Sequence, residues 1–271
     1  YSNHFSADLA MILLLALGLV VLQSATIVSV EGNGGNVTVY FGCGCFWHVQ
    51  HEFALLEQTL LHRSGGEVSA RAAYAGSKLV GNGGLVCYHN AQGISDYGSL
   101  GYAEAVDLTI PDSSFPAFAT KFWEVCPQGL RRDPQDLGAE YRSIVGLPGG
   151  LASPYAKTLA AANGGTTMLT AGFGGDEDVY RQVWIYDTAE FPARLAERYH
   201  QFHDDMIDMY PADYHALRRF ANKTGCPESM LSDIGGSNFF LGLVIFIVVL
   251  ALGACCVTCA NELFGRRIKR Q

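Results

Sequence analysis

The clearest signal in the chain is a change of hydrophobic period close to residue 42. Apolar residues alternate with others over Val37 to Phe41, which is typical of a half-buried strand. From Phe46 to Leu60 they recur at helical spacing. The pattern therefore predicts a strand and a helix joined by the short turn Gly42-Cys43-Gly44-Cys45.

The same two periods predict the other elements as far as residue 210. Further strands are expected over residues 67–74, 104–110, 141–145, 166–170 and 179–186, and further helices from residue 114 and over residues 153–163 and 193–210. The last helix is expected to turn Ala196, Tyr199, Phe202, Met206 and Met209 inward. Strands and helices mix without strict alternation, and no repeat appears. This favours an α+β two-layer sandwich, in which helices cover a mainly antiparallel sheet.

Cys45 stands where the predicted strand turns into the predicted helix. Free backbone N–H groups and the positive end of the helix dipole favour a thiolate at a helix N-terminus. Since cysteine is also a common core residue, a small buried side chain is the alternative. A second thiol at Cys43 and the aromatic pair Phe46-Trp47 favour a nucleophile.

Glu104 begins a clearly alternating strand. Glu104, Val106, Leu108 and Ile110 share one face, and the apolar residues among them must be buried. Burial would raise the pKa of Glu104, as a general acid near neutral pH requires. The alternative is a carboxylate at the strand end that faces solvent.

Residues 77–101 are rich in glycine and show no periodicity. A long irregular segment inside a compact domain is usually functional or disordered. It contains Cys87, Tyr88 and His89, so we interpret it as a functional loop, such as a lid.

Four short stretches resemble a known family, in that family's order. They are Gly44-Cys45-Phe46-Trp47, Tyr74-Ala75-Gly76, Gly101-Tyr102-Ala103-Glu104 and Asp136-Leu137-Gly138-Ala139-Glu140-Tyr141-Arg142-Ser143, with a weaker fifth stretch at Ala196 to Gln201. Together they resemble the signatures of the A-type peptide methionine sulfoxide reductases. The resemblance covers residues 37 to 201.

The resemblance implies a peptide-methionine (S)-S-oxide reductase that acts on oxidised proteins or on free methionine sulfoxide. Cys45 would attack the sulfoxide sulfur while Glu104 protonates the departing oxygen. Tyr74 and Tyr141 would hydrogen-bond that oxygen, and Asp136 would help to position the site. The products are methionine and a sulfenic acid on Cys45, which a second thiol converts into a disulfide.

The resemblance also implies how the substrate and electrons reach the site. Phe46 and Trp47 would hold the substrate's methyl group in an apolar pocket. No bound cofactor or metal is implied, and a thioredoxin-like protein or another dithiol would supply the electrons.

The thiol that resolves the sulfenic acid has two candidates. Cys43 is nearest in sequence, and a strained Cys-Gly-Cys bridge would be easily reduced. Cys226 resembles the family's C-terminal resolving position. Cys87 and Cys126 are then free to pair as a structural disulfide in an oxidising compartment.

Several residues depart from the family's pattern. His48 stands where the family usually has glycine, Tyr102 replaces histidine and Glu140 replaces glutamine. The segment 77–101 is also longer than is typical. None of these changes removes a catalytic group, but they bear on peptide access and substrate choice.

The composition also predicts that the protein is associated with a membrane. Charged residues make up only 16% of the 271-residue chain, against about 25% in ordinary soluble domains. The deficit lies largely in two apolar ends: residues 1–31, read as a signal peptide or N-terminal anchor, and the charge-free segment 239–260, read as a transmembrane helix. The net charge of −8 offers no footprint for nucleic acid.

The expected domains follow from these segments. Residues 36–225 form the catalytic domain, 226–238 a linker, 239–260 the membrane span and 261–271 a basic tail. Because positive residues stay on the cytosolic side, the tail is expected in the cytosol and the catalytic domain in a lumen or outside the cell. Sequons at Asn36 and Asn222 fit that side.

Two other functions deserve comparison with the enzyme. Cys43, Cys45, His48 and His51 suggest a metal site, although their spacing is tighter than that of usual zinc sites. His200, His203 and Asp204 suggest the same, but a solvated helix face explains them as well. A membrane-tethered module that recognises methionine without turnover is the other alternative.

Overall fold

The structure is a computed structural model, which describes residues 34–227. Its strands are β1 Asn36–Gly42, β2 Arg71–Ala75, β3 Ala103–Pro111, β4 Ile144–Leu147, β5 Met168–Ala171, β6 Gln182–Asp187 and β7 Arg194–Leu195. Its α-helices within this range are α1 Phe46–Leu60, α2 Phe115–Val125, α3 Pro154–Ala162 and α4 Ala212–Ala216.

The seven strands form one sheet in the order β5-β6-β4-β1-β3-β2-β7. Strand β1 pairs antiparallel with β3 and β4, and β2 pairs antiparallel with β3 and β7. Only the pairings of β6 with β4 and β5 are parallel. The predicted α+β fold with a mainly antiparallel sheet is confirmed.

Alternation along β1 and β3 separates the two faces of the sheet. Phe41 and Val106 are opposite each other and belong to the large core that includes α1 and α2. Tyr40 and Ala105 point the other way, into a smaller apolar cluster. Glu104 has the parity of Val106 and is 2% exposed, so the prediction that this carboxyl faces the interior is confirmed.

The helix predicted over residues 193–210 is wrong. Arg194–Leu195 instead forms the edge strand β7, and the amide of Ala196 continues the pairing by donating to the carbonyl of Ala72. The buried Gln201 side chain then bonds the backbone of Ala72 and Ala196. Phe202 has a φ of 53°. These tertiary hydrogen bonds stabilise the observed conformation by more than the helical propensity of the segment would stabilise a helix.

Three side chains that the wrong helix placed inward are exposed, and Tyr199 is 44% exposed. Met206 is 83% and Met209 is 88% exposed. Smaller differences occur at two predicted strands. Residues 65–67 and 139–141 form 3₁₀ turns, so β2 begins at Arg71 and β4 at Ile144.

The predicted signal segment, membrane span and basic tail lie outside the described residues. Within residues 34–227, no helix has the length and hydrophobicity that crossing a membrane requires.

Candidate active site

Two glycines shape the turn between β1 and α1. Gly44 has a φ of 74°, and a Cβ on it would lie 2.6 Å from the Asp136 carboxylate. A Cβ on Gly42 would lie 2.3 Å from the carbonyl oxygen of Glu104. Only glycine allows both the left-handed conformation and these close approaches. The resulting tight connection places Cys45 at the N-terminus of α1, beside two carboxyl groups.

Those carboxyl groups accept hydrogen bonds from the first amides of α1. The backbone N–H of Cys45 donates to Asp136 Oδ2 at 2.9 Å, and that of Phe46 donates to Glu104 Oε2 at 2.8 Å. Burial and the negative charge of Glu104 raise the pKa of the Cys45 thiol. The prediction that the helix N-terminus favours a thiolate is therefore wrong, because burial and the neighbouring carboxyl groups outweigh the hydrogen bond that the Trp47 amide offers the sulfur.

Glu104 is buried and protonated at neutral pH. Loss of hydration raises its pKa to about 8, and the hydrogen bond from Phe46 opposes this only in part. A carboxylic acid that is neutral at pH 7 can donate a proton. Glu104 therefore has the ionisation state that a general acid needs.

A hydrogen-bonded chain connects Glu104 to the surface. The buried Tyr97 hydroxyl lies 3.4 Å from Glu104 Oε1 and 3.2 Å from Glu140 Oε2. His89 Nε2 lies 3.0 Å from the same Glu140 oxygen, and its Nδ1 lies 2.6 Å from Asp96. Although partial burial opposes it, contact with the two carboxylates raises the pKa of His89. Glu140, which replaces the family's glutamine, thus joins the predicted loop to the acid.

The segment 77–101 is anchored at both ends by Arg142. This fully buried guanidinium donates to the carbonyls of Gly76 and Gly101 at 2.9 and 3.0 Å. A Cβ on Gly76 would lie 2.6 Å from the guanidinium. The segment is thereby directed over the site, where it contributes Tyr88 and Tyr97. Its interpretation as a functional loop is consistent with this placement.

These parts surround a cavity of about 250 Å³. The residues that line it are Cys45, Phe46, Trp47, Tyr88, Glu104, Asp133, Asp136, Tyr141, Asp205 and Met206. Burial and the nearby Glu104 raise the pKa of Tyr88 and Tyr141. Both phenols therefore stay protonated and can donate hydrogen bonds. One cavity thus brings a thiol, an acid and two phenols together beside an aromatic wall.

His200 supports the aromatic wall from behind. Its ring lies 5.2 Å from Phe46, 5.7 Å from Trp47 and 4.3 Å from Tyr88, measured between ring centroids. Burial lowers the pKa of His200 to about 3, so the ring is neutral. The prediction of a solvated helix face at His200 is wrong, because the residue is buried in a 3₁₀ turn.

Part of the chain is similar in sequence to known proteins. The chain is 32% identical over 109 residues to the peptide methionine sulfoxide reductase MsrA of Geobacter sulfurreducens, which covers 39% of this chain and 57% of that protein. It is 32% identical over 108 residues to the MsrA of Methanothermobacter thermautotrophicus, covering 39% and 54%. The chain thus spans a little over half the length of these curated relatives.

Over about two fifths of its length, the chain is thus similar to A-type peptide methionine sulfoxide reductases. No family model matches the sequence. Among solved structures, the fold is similar to methionine sulfoxide reductase A of Corynebacterium diphtheriae, at 19% identity and a TM-score of 0.42, over 69% of this chain and 84% of that one.

One tyrosine of the predicted reductase site lies elsewhere. Tyr74 does not line the cavity. Its hydroxyl donates to the buried Glu197 at 2.7 Å, and the other oxygen of Glu197 accepts the backbone N–H of Tyr88. Tyr88 lines the cavity together with Tyr141. The sequence places Tyr88 in a loop without a pattern, where it stands out only as one of three reactive side chains with Cys87 and His89.

The predicted cysteine pairing is also wrong. Cys43 is bonded to Cys126, and Cys87 is bonded to Cys226. Cys45 is the free cysteine of the described range. Both resolving candidates, Cys43 and Cys226, are therefore bonded to partners other than Cys45. The same bond removes Cys43 from the proposed metal ligands.

We expect the two carboxyl groups to control the reactivity of Cys45. Glu104→Gln should shift the pH midpoint for alkylation of Cys45 downward, because it removes the negative charge that Glu104 acquires above about pH 8 and keeps an oxygen for the Phe46 amide. The rate of iodoacetamide addition to the Cys45 peptide, followed by mass spectrometry between pH 7 and 10, measures the midpoint.

The matched control is Glu124→Gln on α2, where the side chain is 58% exposed. This variant should keep the wild-type midpoint. A midpoint that stays unchanged or rises in Glu104→Gln would contradict the electrostatic account.

Proposed function

We propose that this protein is a peptide-methionine (S)-S-oxide reductase, which reduces methionine sulfoxide in proteins or as the free amino acid. The observation that carries the proposal is the shared cavity of Cys45, Glu104, Phe46 and Trp47. The S epimer and the thiol chemistry are taken from the reductases that the chain resembles. Phe46 and Trp47 offer the apolar surface that a methyl-sulfur group requires.

The reaction transfers one oxygen atom from the substrate to Cys45. Glu104 donates its proton to the sulfoxide oxygen, which makes the substrate sulfur electrophilic. The Cys45 sulfur attacks, and its own proton passes to the Glu104 carboxylate that has just formed. The attack forms a bond between the Cys45 sulfur and the substrate sulfur. The hydroxyl group then passes from the substrate sulfur to the Cys45 sulfur while the sulfur–sulfur bond breaks, which releases methionine and leaves Cys45 as a sulfenic acid. The substrate gains the two electrons that Cys45 loses.

Tyr88 and Tyr141 supply the hydrogen bonds to the oxygen in this proposal. Both line the cavity, and their phenols stay protonated. Donors of this kind stabilise the negative charge that develops on oxygen as the bond breaks. Asp136 holds the first amide of α1 at 2.9 Å and so fixes the direction of Cys45.

The sulfenic acid must then be reduced. In the described range the other four cysteines form two disulfides, so a free thiol comes from outside this part of the chain. We propose that a thioredoxin-like protein or another dithiol attacks the sulfenic acid directly, releasing water and forming a mixed disulfide. Its second thiol then restores Cys45.

The activity and its pH dependence test this function. Purified full-length protein with dithiothreitol should convert the S epimer into methionine, and Cys45→Ser should abolish the reaction. The single-turnover rate should be flat below about pH 8 and fall about tenfold per pH unit above it, because the acid form of Glu104 is present below its pKa and lost above it.

Glu104→Gln should lower that rate by about 10²-fold or more and remove the fall above pH 8, since an amide donates no proton. Rapid-quench measurement of methionine supplies both profiles. A wild-type rate that rises through pH 8 would exclude Glu104 as the acid, and no methionine from either epimer would refute the enzyme.

Two tyrosine variants separate catalysis from packing. Tyr88→Phe should reduce kcat by about 10²-fold, because it removes a donor to the departing oxygen. Tyr74→Phe should leave kcat within about twofold while lowering the free energy of unfolding by about 1–3 kcal/mol, since the buried Glu197 loses a donor. Steady-state kinetics and urea denaturation measure the two effects. If Tyr74→Phe lowers kcat and Tyr88→Phe does not, Tyr74 belongs to the site and Tyr88 does not.

We also propose that the catalytic domain is tethered to a membrane with its site on the lumenal or extracellular side. The charge-free segment 239–260 and the basic run Arg266 to Arg270 support this orientation. Two disulfides fit an oxidising compartment. Asn36 and Asn222, the sequon residues, are both exposed.

Expression of the full chain in sealed microsomes tests the orientation. Added protease should clip the tail but spare the domain, and Asn36→Gln and Asn222→Gln should remove any shift caused by glycosidase treatment. Digestion of the domain without detergent would overturn the assignment of compartment.

A further inference from the structure

Met206 occupies an unusual position for an exposed methionine. Its side chain is 83% exposed, and it also lines the cavity that contains Cys45. Exposed thioethers are readily oxidised to sulfoxides. A methionine that peroxide can reach therefore lies on the wall of a site built to reduce methionine sulfoxide.

The segment that carries Met206 is anchored on both sides to α1. His203 stacks on Trp47 with ring centroids 4.4 Å apart, and Tyr210 stacks on His51 with centroids 3.7 Å apart. Between these stacks the backbone is irregular and bends at Met206. The short span holds the side chain at the mouth of the cavity.

Ion pairs with Arg132 also hold this span. Arg132 contacts the carboxylates of Asp205 and Asp208, which flank Met206 in sequence. The backbone N–H of Tyr210 donates to Asp204 at 2.7 Å. These contacts hold the backbone on both sides of Met206, so its side chain starts from the cavity wall.

We infer that Met206 is an internal substrate, oxidised by a peroxide and reduced in cis by Cys45. The inference rests on the proposed function. In the first step hydrogen peroxide oxidises the thioether to the sulfoxide and leaves as water. In the second step the oxygen passes to Cys45, which becomes a sulfenic acid, and the thioether of Met206 is restored. An added dithiol then returns Cys45 to the thiol.

Tethering decides how fast this repair is. A short tether gives an effective concentration in the millimolar range, whereas a second protein molecule in an assay is at micromolar concentration. Repair of Met206 should therefore exceed repair of an equally exposed methionine by about a hundredfold and should be independent of protein concentration.

The chain supplies two matched controls for this comparison. Met209 is 88% exposed and lies on the same span, but it does not line the cavity. Met168 is 59% exposed on the edge strand β5. All three methionines are open to peroxide, and only Met206 adjoins Cys45.

The experiment begins with full-length protein whose Cys45 is blocked reversibly by methyl methanethiosulfonate. Hydrogen peroxide oxidises the methionines, catalase removes the excess, and dithiothreitol both frees Cys45 and starts the repair. Peptide mass spectrometry follows the sulfoxides of Met206, Met209 and Met168 over time, at protein concentrations that differ a hundredfold. Cys45→Ser serves as the variant without repair.

The expected result is first-order loss of the Met206 sulfoxide, to the extent that its S epimer is present, at one rate across all protein concentrations. Met209 and Met168 sulfoxides should persist or decline in proportion to protein concentration. Repair of Met206 no faster than that of Met209, or at a rate proportional to protein concentration, would overturn the inference.

Free methionine sulfoxide added to the same samples shows whether only the inference about Met206 fails or the proposed function fails as well. If the free compound is reduced while Met206 sulfoxide persists, the internal substrate is refuted and the reductase stands. If neither is reduced, the proposed function fails and the inference fails with it.

Discussion

The site depends on two hydrogen bonds that the first amides of α1 donate to carboxyl groups. Asp136 comes from a loop, Glu104 from β3, and Cys45 from the turn after β1, so three distant segments meet at one helix end. A helix N-terminus without partners would stabilise a thiolate. Here burial and the nearby carboxyl groups outweigh that effect. The sulfur stays protonated beside an acid that is also protonated, and the pair is electrically neutral in a buried place.

Neutrality makes the buried pair compatible with a stable fold. An isolated ionised group would cost far more to bury than a neutral one that is hydrogen-bonded. Burial also raises the pKa of Glu104, to about 8, so folding at neutral pH requires this carboxyl group to take up a proton. The chain Tyr97-Glu140-His89 then carries charge only where solvent is near, since the His89 side chain is 39% exposed.

Sequence patterns predicted what is local and missed what depends on partners far along the chain. The period change at Gly42 placed Cys45 at the start of α1, and alternation after Glu104 placed that carboxyl inside. The roles of Tyr88 and Arg142 depend on contacts with residues far apart in sequence, such as Gly76 and Gly101, and no periodicity records them. The false helix over residues 193–210 has the same cause, because Gln201 bonds Ala72, on a strand 129 residues earlier.

The disulfides explain how one thiol stays reduced among oxidised neighbours. Cys43 and Cys45 are separated by one glycine, and Gly44, with its φ of 74°, turns their side chains to different surroundings. Cys43 is 3% exposed and is bonded to Cys126 at the end of α2, while Cys45 faces the cavity. Because Cys43 is bonded to Cys126, the cysteine nearest to Cys45 in the sequence is not free to pair with it. The turn that places Cys45 in the cavity therefore also separates it from Cys43, and in the proposed reaction the sulfenic acid on Cys45 is left to a thiol that enters through the cavity mouth.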